Sequence, residues 1–306
     1  MSRNAKKILI TGGTGFVGTH LCNRLIKEGY TLYILTRSQK LNSTENGSRK
    51  FYFNALNEIQ NIDVDIVINL AGETIAQRWT ENAKNRIYNS RIATTRDLVE
   101  FMASKQKLPT LFISGSAVGY YGMDDDKTFT EDSALETINS KFAQLLCKAW
   151  EDEASNAAQL GVRTVLLRIG PVLEKDGGML AKLLPSFRLG LGSQIGNGQQ
   201  WLSWIDRDDL IELIIFTIHQ ENINGPVNAT SPNPINNKEF SLALAQALHR
   251  QCFLKTPEFI LKLVFGEMAE EIMIKGQKVL PQKALSHGFL FSYPTIQSSL
   301  SKIFTS

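Results

Sequence analysis

The run Lys7-Ile8-Leu9-Ile10-Thr11-Gly12-Gly13-Thr14-Gly15-Phe16-Val17-Gly18 constrains this chain more than any other stretch. Its apolar residues predict a short strand, its glycines a tight turn, and its last residues a helix opening near Gly15. Gly12, Gly15 and Gly18 are three residues apart, and each answers a separate need. Gly12 permits the turn off the strand, Gly15 lets backbone approach a pyrophosphate, and Gly18 lets the helix lie close on the sheet. A helix N-terminus adds unpaired N–H groups and partial positive charge. A glycine triplet alone is a weak signal, but here it sits between strand and helix at the head of a βαβ unit. Gly12, Thr14, Gly15, Phe16 and Val17 are therefore read as a dinucleotide cradle.

The next strand, residues 31–36, is followed by Arg37 and Ser38. An acid about 20 residues past the glycines takes the ribose 2′-hydroxyl of NAD, whereas an arginine accommodates a 2′-phosphate. No acid lies between Gly29 and Glu45. Arg37 can pair with phosphate and Ser38 can donate a hydroxyl hydrogen bond. The cofactor expected is NADP (NADPH). Short strands are expected at 51–53 and 66–70, the second fully apolar, as in a buried parallel sheet. It ends in Leu70-Ala71-Gly72-Glu73, small residues where open α/β sheets bind ligands.

A helix is expected over 80–104, with Arg86 and Arg91 on a solvated face. The strand 110–114 runs into Gly115-Ser116-Ala117-Val118-Gly119-Tyr120-Tyr121-Gly122, which crowds hydroxyls at the carboxyl end of a central strand. Asp124–Asp126 reads as a solvated loop, and no metal site is supported. A helix over 140–160 and a strand over 163–168 complete the alternation. The fold expected is α/β, a doubly wound parallel sheet (Rossmann) over residues 1–170, with a smaller, interwoven substrate-side segment over 171–306. In that segment the glycine-rich 190–198 loop, Trp201 and Trp204 are candidates for a pocket wall or lid. The Met, Phe and Leu residues of 257–274 suggest a small satellite core.

Composition excludes several classes. With 306 residues and a net charge of +3, the chain carries no basic patch for nucleic acid. Three scattered cysteines fit buried thiols in a reducing compartment better than disulfides or zinc. The first strand starts at Lys7, leaving no room for a signal peptide. No uncharged apolar run reaches the roughly 18 residues of a membrane span. The reading is a cytoplasmic protein with a small-molecule substrate, no nucleic-acid or membrane partner, and a homodimer as a further expectation.

These motifs together resemble the extended short-chain dehydrogenase/reductase superfamily: TGGTGFVG at 11–18, NLAG at 69–72, ISGSAVGYYG at 113–122, LLRIGPVL at 166–173 and GNGQQWLSWIDRDDL at 196–210. NLAGETIAQRW, PSFRLGLG and KGQKVLPQKAL are similar to its atypical subgroup, the epimerase family, which carries its own C-terminal domain. The resemblance adds Ser114 and Arg168, from two of these motifs, to the cofactor residues. It also implies a catalytic Tyr with a Lys four residues later on the helix after the fifth strand. No Tyr-x-x-x-Lys occurs in this chain, and Phe142 and Leu146 fall closest to its places. Ser116 matches the superfamily's active-site hydroxyl, and Tyr120 or Tyr121 offers a phenol; all three are candidate catalytic residues. Two functions are expected from this. One is an NADP(H)-dependent oxidoreductase or epimerase acting on a small hydroxyl or carbonyl compound. The other is a non-catalytic NADP(H)-binding regulator, related to cell division.

Overall fold

The computed structural model describes residues 5–37, 49–134 and 141–305. Seven strands form its central sheet: β1 (Lys7–Thr11), β2 (Thr31–Leu35), β3 (Lys50–Phe53), β4 (Ile66–Asn69), β5 (Leu111–Ala117), β6 (Arg163–Ile169) and β7 (Gly225–Ala229). Their spatial order is β3-β2-β1-β4-β5-β6-β7, and every neighbouring pair is parallel. The doubly wound sheet is thus present. Its order reverses beside β1, which puts the glycine turn at the switch point where such sheets bind ligands.

Side-chain alternation explains the two buried faces. Ile8 and Ile10 point to one side, where α1 (Gly18–Lys27) contributes Leu21 and Leu25. Leu9 points to the other, where α2 (Glu81–Ala103) and α3 (Phe142–Gln159) bring Leu98, Met102, Ala154 and Ala157. The first face is completed from far along the chain. The helix α5 (Arg207–His219), which comes after α4 (Gly178–Arg188), buries Leu210, Leu213 and Ile214 on it. Both α5 and β7 lie beyond residue 170 yet build this sheet's own layers. A separate core unites Leu173, Leu180, Phe187, Trp204, Phe240 and Leu300 in the later segment.

Several local expectations change. Regular helix α1 opens at Gly18 rather than Gly15, although the Thr19 N–H already bonds the Gly15 carbonyl. Asp124–Asp126 is not a loop: Asp124–Phe129 is a strand paired with Gln277–Val279. Pro226 lies inside β7, which tolerates it as an edge strand. The apolar 257–274 stretch divides. Phe265, Met268 and Met273 pack with Trp79 and Leu146, while Phe259 and Leu263 stay exposed. Among the described residues, no helix is long and apolar enough to cross a membrane.

If α5 is part of the sheet's core, Leu213→Ala should destabilise the whole fold. Leu213 is fully buried, so a loss of about 2–5 kcal/mol is expected in urea denaturation. The first and second halves should unfold in one transition.

Candidate dinucleotide site

The glycines separate by what surrounds them. A side chain on Gly12, which has φ +71°, would meet the Leu70 carbonyl oxygen at 2.5 Å. One on Gly18 would run into the Gly12 carbonyl. Both are therefore demanded by the protein's own packing. Gly15 differs: among the described residues other than its chain neighbours, only the Gly12 oxygen, at 3.2 Å, lies within 4 Å of an added Cβ. Its outer side is left open to a ligand. The first turn of α1 carries no acidic residue and its Val17 N-cap offers no side-chain hydrogen bond, so its end keeps the character of an anion site.

The second wall is the 70–73 turn, against which Gly12 packs. A hydrogen-bonded chain fixes it: the Thr11 hydroxyl donates to Asn69 Oδ1 at 2.6 Å, and Asn69 Nδ2 donates to the Thr95 hydroxyl at 2.8 Å. Trp150 Nε1 donates to the same hydroxyl at 3.0 Å, so β1, β4, α2 and α3 are tied at one point. Arg91 is not on a solvated face. It is half-buried, donates to the carbonyls of Ile87 and Glu73 at 3.1 Å, and lies over the Trp150 ring. It supports the turn from behind. Arg86 is exposed.

Thr14, Gly15, Phe16 and Val17 thus stand together with Leu70, Ala71, Gly72 and Glu73. Arg37 is exposed just past β2, next to β1, and makes no ion pair among the described residues. Ser38 lies outside the described residues. Phe16 is covered by Gly177 and Gly178, where added side chains would strike its ring. Arg207 lies 5.4 Å from that ring and is held by Asp176 at 2.6 Å and Glu174 at 3.2 Å. The later segment therefore reaches the cradle.

Two further cofactor candidates are buried. Ser114 is fully buried, its hydroxyl on the Gly115 carbonyl at 3.3 Å. Arg168 belongs to a buried network with Glu151, which sequence reasoning missed. Its Nε and Nη2 donate to the two Glu151 oxygens at 2.9 and 2.8 Å, and its Nη1 donates to the Tyr121 hydroxyl at 2.9 Å. Burial alone would lower the Arg168 pKa, but the Glu151 carboxylate outweighs it and holds arginine above its ordinary value.

The same network takes two candidate catalytic hydroxyls. Ser116 donates to Glu151 at 2.6 Å, and Tyr121 donates to Asn228 at 2.7 Å. Both residues are buried, and burial pushes the Tyr121 phenol up to about 12. Both hydroxyls are engaged within this network. Tyr120 is half-buried, with the Arg168 guanidinium 3.5 Å from its ring centroid. Its hydroxyl makes no hydrogen bond among the described residues.

The missing Tyr–Lys pair also reads differently in three dimensions. Phe142 packs edge-on against Trp79 at 5.0 Å, and Leu146 is buried beside it. The α3 face turned to the end of β5 instead carries Ala143 and Cys147. A Cβ on Gly119 would lie 3.7 Å from Ala143 Cβ and 3.6 Å from Cys147 Sγ. The expected register is one residue off. Neither occupant exchanges protons readily at neutral pH, since burial pushes the Cys147 thiol up to about 12. Trp204 is fully buried in the later core, and the Trp201 ring nitrogen donates to the Asp125 carbonyl at 3.1 Å. Trp204 packs within the later segment, and Trp201 ties that segment to the strand at Asp124–Phe129.

A glycine cradle at the switch point of a doubly wound parallel sheet defines a dinucleotide-binding α/β protein. Residues 8–229 match the family model described as NAD dependent epimerase/dehydratase family, and residues 256–303 match a domain of unknown function (DUF1731). The chain belongs to the NAD dependent epimerase/dehydratase family. It is 38% identical over 298 residues to the epimerase family protein YfhF of Bacillus subtilis, spanning 97% of each chain. Among solved structures it is similar to human epimerase family protein SDR39U1 (isoform 2) with NADPH, at 29% identity and a TM-score of 0.87, covering 98% of this chain and 99% of that one. A nucleoside-diphosphate sugar epimerase from Corynebacterium glutamicum gives 27% identity and a TM-score of 0.78, over 98% of this chain and 58% of that one.

Removing one side of the buried ion pair should be costly. Glu151→Ala leaves the Arg168 charge unpaired in the interior, and a loss of about 3–5 kcal/mol is expected in chemical denaturation. A loss under about 1 kcal/mol, the range of exposed pairs, would refute this role.

Proposed function

We propose that the protein binds NADP(H) in the 11–18 cradle and reduces a small carbonyl compound. The observation that carries this reading is Gly15, whose open side is filled by no atom of the described residues. When bound, the dinucleotide supplies hydride at its nicotinamide. The protein's part is to hold the pyrophosphate with the backbone N–H groups of the turn and the N-terminus of α1. Arg37, exposed beyond β2, is suited to a 2′-phosphate, and the NADPH in the human relative's structure supports the same choice. Three thiols without disulfides support a reducing, cytoplasmic setting.

A second reading is a dinucleotide-binding regulator without turnover. It is favoured by Ser116 and Tyr121, whose hydroxyls are engaged by Glu151 and Asn228. NADPH oxidation with a carbonyl panel separates the two: consumption supports the enzyme, tight binding without consumption the regulator.

Gly15→Val should abolish NADPH binding in calorimetry; wild-type affinity in this variant would move the site elsewhere. Arg37→Ala should erase most of a preference for NADPH over NADH. A charge-assisted contact of about 1.5–3 kcal/mol implies a preference of about tenfold or more. An unchanged ratio would remove Arg37 from the site.

A further inference from the structure

The position facing the end of β5 where the superfamily carries a phenol is occupied by Ala143, and space opens beside it. A cavity of about 290 Å³ is lined there by Tyr121, Gly122, Phe129, Ala143, Gln144 and Glu271. Glu271 comes from the later segment, in the π-helical turn Ala269–Ile274. Its Oε2 accepts the backbone N–H of Ala143 at 2.9 Å. A carboxyl group from the C-terminal segment is therefore fixed on the backbone of the residue whose phenol is missing.

We infer that this cavity receives the carbonyl substrate and that Glu271 is its proton donor. The inference rests on the carbonyl-reductase reading above and gives it an acid. Volume sets the substrate class. Ligand pockets typically run from about 300 to 1,000 Å³, and this one, at the small end of that range, suits a small carbonyl compound.

The surroundings raise the Glu271 pKa above the ordinary carboxylate value. Its carboxyl is hydrogen-bonded to that of Glu267, and two carboxyls in contact share one proton. Glu267 is in turn paired with the Lys84 ammonium at 2.5 Å. Burial raises the Glu271 pKa first, then the Glu267 contact; the Ala143 and Phe142 N–H groups pull the other way. The remaining charges around the cavity are Lys141, paired with Glu270 at 3.2 Å, and Lys275 and Asp124 on its wall.

The step balances with the reduced nicotinamide as the two-electron reductant. The carbonyl carbon gains hydride as the C=O π bond breaks. The oxygen gains the Glu271 proton, leaving an alcohol and a Glu271 carboxylate that is reprotonated from water. This assigns the acid to a residue outside the dinucleotide-binding half.

The test compares wild type, Glu271→Gln and Glu267→Gln with NADPH and three probes: glyoxal, butane-2,3-dione and 4-nitrobenzaldehyde. Glutamine keeps an acceptor for the Ala143 N–H, so the fold and NADPH affinity should be unchanged. Glu271→Gln should lose about 100-fold or more in kcat, the usual contribution of a general acid. Glu267→Gln removes a contact that raises the Glu271 pKa, so the alkaline limb of the pH profile should move to lower pH. Without any turnover assay, carboxyl-carbon NMR should show one glutamate titrating above the ordinary carboxylate range, absent in Glu271→Gln. Wild-type kcat in Glu271→Gln overturns the proposal while leaving the cofactor reading intact. So does NADPH binding without consumption of any probe, or a wild-type spectrum with every glutamate in the ordinary range. Failure of the wild-type protein to bind NADPH instead overturns the reading on which the proposal rests.

Discussion

The Glu151–Arg168 ion pair is the contact on which the carboxyl edge of the sheet depends. Both side chains are almost wholly shielded, at 6% and 4% exposure. Taking two such charges from water costs more than their attraction returns unless every polar atom finds a partner. The fold meets this condition by recruiting Ser116 from β5, Tyr121 from the turn beyond it and Asn228 from β7. Asn228 in turn donates its backbone N–H to the Glu131 carboxylate and its side-chain amide to the Leu280 carbonyl. One buried charge pair thus links the central strands, α3, the edge strand and the later segment.

That arrangement changes what a familiar motif means. Ser116 and Tyr121 stand in the stretch that the superfamily uses for chemistry, yet here they complete a structural network. A hydroxyl donating to a buried carboxylate at 2.6 Å is already satisfied, and moving it would strand the carboxylate. The space and the acidic group lie one step away, where Ala143 leaves a gap and Glu271 reaches into it. Function in such a family member is set by the contacts of each side chain, not by its place in the motif.

Two separate demands meet in the glycine turn. Gly12 and Gly18 are fixed by contacts within the protein, and their loss would disturb the fold itself. Gly15, by contrast, meets only the Gly12 oxygen among the described residues. The later segment shares this region, because Gly177 and Gly178 cover Phe16 and Arg207 lies over its ring. The cradle is therefore part of the interface between the sheet and the segment that closes over it.

Local rules explain what was legible in the sequence. The glycine spacing, the apolar runs of β1, β4 and β6 and the position of Arg37 are properties of short stretches, so the doubly wound fold and the cradle could be read directly. Strand Asp124–Phe129 could not, because its acidic residues carry no strand pattern and only pairing with Gln277–Val279 makes it one. Arg91 has the sequence setting of a solvated residue because its partners, the Glu73 carbonyl and the Trp150 ring, are distant along the chain. The register of α3 differs by one residue because rotation about a helix axis is set by what it packs on, here Gly119 and the end of β5. By itself the sequence determined the sheet and the absence of a Tyr–Lys pair. Only the tertiary structure decided that Glu151 would bind Arg168 and that Glu271 would meet Ala143, since each contact joins residues whose proximity the fold alone creates.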